Sequence, residues 1–210
     1  MTGVDTGGRS GRRPGNSGTR EAILDAARLR FAEVGFDKAS IRSIAGAAGV
    51  DPALVHHYFG AKAELLTAAL DLPIDPQVVI GRIAAAPDDQ LGETIVRHVV
   101  TIWDSPVGTQ AVAAFRSIIG GGGNESMARA FLLEVVLKDI RTRVDSPPGT
   151  GDTRVVLAAS QMIGLLVARK IVGIEPLASM PPELLARLVG PTLQRYLTGD
   201  LGAAGFSPGR

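Results

Sequence analysis

A sharp reversal between two short helical patterns, centred on Gly49, is the feature that most constrains how this chain folds. Ser40 is suited to cap the first of these helices, and Gly49 can end it because glycine tolerates a positive φ. Asp51 followed by Pro52 begins another helix at once, with the aspartate as N-cap and the proline in the first turn. The segment 40–58 is therefore predicted to form a helix-turn-helix.

The helix after this reversal is predicted to have one inward side and one outward side. If Val55 and Phe59 point inward, at positions i and i+4, the residues between and before them point partly or wholly outward, namely Ala53, Leu54, His56 and His57. A helix end with few charges suits the base edges of a DNA major groove better than it suits bulk water. The pattern favours contact with duplex DNA. The alternative is a helical ligand-binding or structural protein in which the helix-turn-helix serves only packing.

The rest of the chain also follows helical spacing, and aromatic residues make up only 4% of it. We therefore predict an all-α fold. The first helix is predicted to run from a cap at Thr19 to Gly35, and a fourth over residues 61–70. Six further helices are predicted near residues 76–86, 89–104, 107–119, 125–144, 153–173 and 182–198.

Composition excludes several classes of protein. The chain has no cysteine, which removes disulfides, thiolate zinc sites and cysteine nucleophiles. We find no secretory signal, and the longest apolar stretch, from Val155 to Ala168, is too short to span a bilayer, so a cytoplasmic protein without a membrane partner is expected. The net charge of +1 is too small to diagnose nucleic-acid binding by itself.

Catalytic chemistry is not expected either. The nucleophile-elbow, phosphate-loop, dinucleotide and H-E-x-x-H zinc motifs are missing from the sequence. His56 and His57 are adjacent, so in a helix they point about 100° apart, whereas two ligands of one metal on a helix need i, i+4 spacing. We expect no enzyme activity, no metal site and no cofactor.

The run from Arg20 to Leu66 carries a more specific signal, since it contains ILDAA, then GF, then SIRSIAGAAGVDPALVHHYFGAKAELL. It is similar to the DNA-binding domain of the TetR family of bacterial transcriptional regulators. The resemblance implies a homodimer on a palindromic double-stranded DNA operator, with two recognition helices in successive major grooves. It also implies a helical C-terminal domain that binds a small-molecule effector, and repression that the effector relieves.

The same resemblance implies a DNA-binding role for eight residues, which are Ser40, Arg42, Ala53, Leu54, His56, His57, Tyr58 and Lys62. It makes Ser40 and Lys62 phosphate contacts and Arg42 a base or backbone contact. His56 and Tyr58 stand where the family commonly has Tyr and His on phosphates, so these two residue types are exchanged here. The other three occupy the base-facing positions of the recognition helix.

Lys62 is also singled out by electrostatics. A cation in the first turn of a helix opposes the helix dipole, at a cost of ~0.3 to 1 kcal/mol unless an anion lies beside it. A DNA phosphate would remove that conflict. The alternative is a solvated lysine, or one paired with Glu64.

Four segments follow from these patterns: a flexible basic arm at 1–18, the helix-turn-helix domain at 19–70, an effector-binding and dimerisation domain at 71–200, and a tail at 201–210. Within the arm, Arg12 and Arg13 can lie along phosphates or enter a minor groove, or the arm can be an unstructured tail that contributes nothing.

The helix predicted at 153–173 is apolar on more than one side, and the helix at 182–197 offers a companion apolar stripe. Such helices pack into their own core and also meet a second surface, so two from each chain would form an isologous four-helix dimer interface. The same region is similar to one C-terminal subgroup of the TetR family. The alternative is that both helices belong only to the core of a monomer.

The effector pocket is predicted from scattered aromatic and charged residues, because ligand sites combine apolar walls with a few polar groups. The candidates are His98, Trp103, Phe115, Arg116, Phe131 and Arg169. Arg169 precedes Lys170 in an apolar helix and would bind an anionic ligand group. In the alternative, Arg169 or Lys170 pairs with an acid at the helix C-terminus or faces solvent.

Overall fold

The computed structural model describes residues 17–72, 75–119 and 125–202, and it describes the backbone alone at 111 and 114–119. All regular elements in these ranges are helical, which confirms the predicted all-α class. The predicted arm, with Arg12 and Arg13, and most of the predicted tail lie outside the described residues. The chain divides into two compact units, Met1–Ala69 and Leu70–Arg210, and we treat each by itself.

The helices of the first unit are α1 (Ser17–Lys38), α2 (Ile41–Ala48), α3 (Pro52–Phe59) and α4 (Lys62–Leu70). The prediction that Thr19 caps α1 is wrong, because α1 already includes Ser17. Gly35 interrupts α1 with φ 79° and ψ 166°, at the position where the sequence predicts a stop.

The turn between α2 and α3 forms as its sequence predicts. Ser40 caps α2, and its hydroxyl oxygen accepts a hydrogen bond from the backbone N–H of Ser43 at 3.0 Å. Gly49 ends α2 in the left-handed region, at φ 68° and ψ 30°. Asp51 then caps α3 by accepting from the N–H of Ala53 at 2.7 Å. Each short helix therefore has a side chain or glycine that fixes its end.

A compact apolar core holds the four helices of this unit in place. Ala45 is fully buried, so its small side chain lets α2 pack closely against its neighbours. The core residues are Ile23, Leu24, Ala27, Phe31, Ile44, Ala45, Val55, Phe59, Leu65 and Leu66. Burial of the inward residues of α3 is what leaves its remaining side chains at the surface.

The second unit contains seven α-helices in the described ranges. They are α5 (Pro76–Ala84), α6 (Leu91–Asp104), α7 (Pro106–Ile119), α8 (Glu125–Phe131), α9 (Lys138–Arg143), α10 (Gly151–Leu166) and α11 (Pro182–Thr198). The single helix predicted over 125–144 is wrong, because a π-helical turn at Leu132–Val136 separates α8 from α9. A second π-helical segment, Val167–Val172, extends α10 until Gly173 ends it.

Two glycines let α6 and α11 cross with their backbones in contact. A side chain at Gly92 would collide with the carbonyl oxygen of Gly190, and one at Gly190 would collide with Glu93. The N–H of Gly92 donates to the side-chain oxygen of Gln194 at 2.8 Å. This close crossing makes α11 part of the same core as α6.

Helix α10 packs against α6, α9 and α11. Met162 and Leu165 are buried in the core of this unit, as is the guanidinium of Arg154, which donates to the carbonyl oxygens of Tyr196 and Gly199 at 2.9 Å each. By length and composition alone, one stretch among the described residues, Gly151–Val172, is long and apolar enough to cross a membrane, and 33% of it is buried. The core helix of a folded protein passes the same test.

Candidate nucleic-acid interface and ligand cavity

The α3 helix presents the side chains that its sequence pattern predicts. Val55 is fully buried and Phe59 is 8% exposed, so both point into the core. Ala53, His56 and His57 are exposed, whereas Leu54 and Tyr58 are half-buried. This confirms the predicted orientation of the helix and leaves an exposed face without acidic residues.

The two histidines of α3 lie in different surroundings. The Nδ1 atom of His56 is 2.9 Å from the carbonyl oxygen of Gly60, which fixes the orientation of that ring. The His57 ring meets the Tyr58 ring edge-on, with 5.5 Å between the centroids. His57 therefore stands beside an aromatic ring, while His56 is held at the C-terminal end of the helix.

Ser40 and Arg42 lie at the start of α2, and both are exposed. The Ser40 oxygen is occupied as an acceptor by the cap, but a hydroxyl keeps a hydrogen that it can donate to a phosphate. Arg42 carries five N–H donors and no acceptor, which suits it to either phosphate or guanine.

Lys62 begins α4, and its ammonium group lies on an aromatic ring of α1. The Nζ atom is 4.2 Å from the Phe36 centroid and donates to the carbonyl oxygen of Asp37 at 3.4 Å. The Glu64 carboxylate instead accepts from the backbone N–H of Ala61 at 2.6 Å. The partners of Lys62 within this unit are therefore a π face and a carbonyl oxygen.

Arg20 is a cation near the α3 helix that sequence reasoning did not single out. Its guanidinium carbon lies 5.2 Å from the centroid of the Phe59 ring, and the residue is exposed. No spacing rule connects residues on different helices, so the sequence offers no signal for this contact.

The second unit contains an apolar cavity of about 560 Å³ between helices α5, α6, α8, α9, α10 and α11. Trp103 and Phe131 line it, as two of the predicted pocket residues. His98 and Arg169 are not among its described lining residues. The remaining candidates, Phe115 and Arg116, have side chains outside the described part of the chain.

Arg169 is buried and paired rather than directed into the cavity. It binds both carboxylate oxygens of Asp104, at 3.1 and 2.6 Å, and also donates to the carbonyl oxygen of Leu177. The Lys170 ammonium lies 3.2 Å from the same carboxylate. Burial alone would raise the pKa of Asp104, but these hydrogen bonds and positive charges hold it below its usual value.

His98 lies half-buried on α6 among charged neighbours. Partial burial lowers its pKa, and the positive charges of Arg82 and Arg97 lower it further against the opposing effect of Glu183. The neutral imidazole is thereby favoured at this position.

Comparison with known proteins identifies both parts of the chain. Residues 23–69 match the model of the bacterial regulatory proteins of the tetR family, and residues 89–197 match the tetracyclin repressor-like C-terminal domain. A helix-turn-helix domain followed by such a domain defines a DNA-binding transcriptional regulator. The chain belongs to the TetR family.

Individual relatives agree with this assignment. The HTH-type transcriptional regulator BetI of Rhizobium meliloti is 36% identical over 80 residues, which are 36% of this chain and 39% of that protein. The BetI protein of Brucella anthropi is 38% identical over 68 residues, which are 30% of this chain and 35% of that protein. The match thus spans less than half the length of these relatives.

A TetR-family regulator from Streptomyces coelicolor A3, known from a crystal structure, is similar over more of its length. It is 36% identical, with 89% of this chain and 98% of that chain covered and a TM-score of 0.41.

Proposed function

We propose that this regulator is a homodimeric repressor that occupies a palindromic operator and leaves it when a small-molecule effector fills the cavity of the second unit. The observation that carries the proposal is that an exposed α3 face without acidic residues and a large apolar cavity belong to one chain. A surface suited to a major groove and a cavity suited to a ligand give the two sites that ligand-controlled binding requires. Such a protein acts on chromosomal DNA in the bacterial cytoplasm.

The operator contact is assigned to the eight residues predicted from the sequence. Ala53, Leu54 and His57 face base edges in the major groove from α3, together with Arg42 from α2. The contacts to phosphates come from Ser40, His56, Tyr58 and Lys62. Exposure of the α3 surface and the cap at Ser40 support this assignment.

Dimerisation is assigned to the outer faces of α10 and α11. Val156 on α10 and Leu188 on α11 are 51% and 59% exposed, although both are large apolar side chains. Contact with the same faces of a second chain would bury them in an isologous four-helix interface. The two α3 helices would then meet half-sites about 34 to 36 Å apart.

Effector release needs only a difference in affinity between two conformations. A ligand in the cavity favours the conformer whose recognition helices are wrongly spaced for the operator, and this lowers the affinity for DNA. By linkage, the DNA-bound dimer binds the ligand less well by the same factor.

Footprinting and gel-shift titration with DNA from upstream of the chain's own gene test the proposal. The expected result is protection of a palindrome by a dimer, with half-sites one helical turn apart. A strictly monomeric protein that binds no genomic fragment at low ionic strength would contradict it and favour the packing-only alternative. Transcription from the same promoter, measured with and without the protein, distinguishes repression from activation.

A further inference from the structure

We propose that the effector is an uncharged, predominantly apolar molecule, and that the cavity selects against ligands that carry a formal charge. This inference rests on the proposed function, since it names the ligand class of the same effector site. It follows from what the walls of the cavity offer and from what they lack.

The walls consist almost entirely of hydrocarbon side chains contributed by several helices. Helix α5 contributes Val79 and Ile83, α6 contributes Val99 and Trp103, and α10 contributes Met162 among others. A volume of about 560 Å³ lies within the range of about 300 to 1000 Å³ that is usual for small-molecule sites. The cavity therefore has room for an apolar ligand of ordinary size.

Charge is nearly missing from the described lining. Glu125 and Arg129 are its only charged members, both lie on α8, and both are exposed to solvent. Their charges are opposite, so together they offer a ligand no net charge. Among the described walls, an ionised group would be surrounded mainly by hydrocarbon and would lose its hydration without a buried charged partner.

One charged cluster next to the cavity wall in sequence is held together by its own ion pairs. Asp104 follows Trp103 directly, yet its carboxylate is bound by Arg169 and Lys170. Arg169 is 6% exposed, and its guanidinium is also bound to the Leu177 carbonyl oxygen. A charged ligand could use the Asp104–Arg169 pair as a partner only by breaking these contacts, so this pair does not favour a charged ligand.

The experiment compares three ligands that share one unbranched alkyl chain and differ only in the charge of the head group: 1-decanol, decanoate and decyltrimethylammonium. Each compound is titrated near pH 8 into the full-length protein loaded with the neutral dye Nile red, and displacement of the dye is measured. The charged compounds are kept below their micelle concentrations, and circular dichroism is recorded to exclude unfolding. We expect 1-decanol to compete at least about tenfold more strongly than either charged compound. Equal or stronger competition by a charged compound overturns the inference, and so does failure of both Nile red and 1-decanol to bind.

Two valines that are neighbours on α5 give a matched pair of variants. Val79 lines the cavity, whereas Val78 is 55% exposed and does not. We expect Val79→Phe to fill the cavity and weaken Nile red binding by about tenfold or more, and Val78→Phe to stay within about twofold of the parent. Ala128→Leu narrows the same cavity from α8 if Val79→Phe fails to fold. Unchanged dye binding in the folded cavity variants overturns the assignment of the ligand to this cavity.

Operator binding measured in the same solutions separates this inference from the proposed function. If 1-decanol binds in the cavity and leaves the operator complex intact, the ligand class stands and effector-controlled repression by this class fails. If only a charged compound binds and releases the operator, the ligand class fails and the proposed function stands.

Discussion

The ammonium nitrogen of Lys62 lies 4.2 Å from the centroid of the Phe36 ring, which joins the first residue of α4 to the end of α1. A cation over an aromatic face is stabilised by about 0.5 to 1 kcal/mol at an exposed site. This is similar in size to the cost of a positive charge in the first turn of a helix. The contact thus offsets the conflict that the sequence predicts at Lys62, and it holds the charge at the surface of the first unit.

Lys62→Ala is expected to weaken DNA binding for all sequences alike, because a phosphate contact carries no sequence information. The slope of log affinity against log salt should become shallower by roughly one unit per half-site. Fluorescence anisotropy titrations at several salt concentrations measure both effects. Lys138→Ala, at an exposed lysine of α9, is the matched control. A slope equal to that of the parent would remove Lys62 from the interface.

Phe36→Leu tests the aromatic contact separately from the charge. The variant keeps Lys62 and removes the ring beneath its ammonium group. We expect thermal stability to fall while the salt slope stays that of the parent, because the number of phosphate contacts is unchanged. A slope that falls as it does in Lys62→Ala would show that the ring is needed to hold the cation at the phosphate.

Arg42→Ala and His57→Ala are expected to change sequence preference as well as affinity. A side chain that reads a base edge contributes about 1 to 3 kcal/mol of discrimination at one base pair, and its removal relaxes preference there. Binding to a set of operators with single base-pair changes measures this. Arg82→Ala, at an exposed arginine of α5, is the control. Uniform weakening across the operator set would make these residues phosphate contacts.

Gly49→Ala and Gly46→Ala should change stability in opposite directions. Gly49 has φ 68°, so an alanine there is strained by about 1 kcal/mol although no atom lies within 4 Å of the new Cβ. Gly46 lies inside α2 with equally open space around it, so alanine there should stabilise the unit by about 0.5 to 1 kcal/mol. Urea unfolding of both variants against the parent checks the signs, and destabilisation by Gly46→Ala would show that backbone preference does not govern this turn.

The parts of the fold that the sequence predicts are those fixed by local chemistry. Ser40, Gly49 and Asp51 each determine a helix end through a bond or a φ angle within a few residues, so their pattern is enough to locate α2 and α3. The spacing of Val55 and Phe59 likewise predicts which side of α3 faces the core. These local signals are therefore enough to predict the helix ends and the outward face of α3 in the candidate interface.

Features that depend on distant residues were not predictable. The partner of Arg169 is Asp104 on α6, 65 residues away along the chain, and no pattern on either helix selects it. The Arg20 contact with Phe59 is of the same kind. The π-helical turn at Leu132–Val136 escaped prediction because the apolar pattern continues through it without a proline or glycine. The cavity walls come from several helices, and no local pattern shows that these helices meet.

Leu188→Glu is expected to prevent or weaken dimer formation by placing a charge in the proposed interface of α10 and α11. The residue is 59% exposed in the single chain, so the variant should fold normally as a monomer. Sedimentation velocity measures the oligomeric state, and operator affinity should fall together with dimerisation. Leu29→Glu, at a leucine of α1 that is 56% exposed, is the control. A Leu188→Glu protein that remains dimeric would place the interface elsewhere.

Asp104→Asn should destabilise the second unit by about 1 to 3 kcal/mol near neutral pH, because the buried guanidinium of Arg169 loses its charged partner. The folded pKa of Asp104 is held below its usual value of 3.8, so this stabilisation is present above that value and is lost as the pH falls through the lowered one. Urea unfolding near pH 7 and near pH 3 should therefore show a smaller difference between parent and variant at the lower pH. Asp89→Asn, at an exposed aspartate, is the control. If the two variants lost equal stability at neutral pH, the pairing of Asp104 with Arg169 would contribute nothing to the fold.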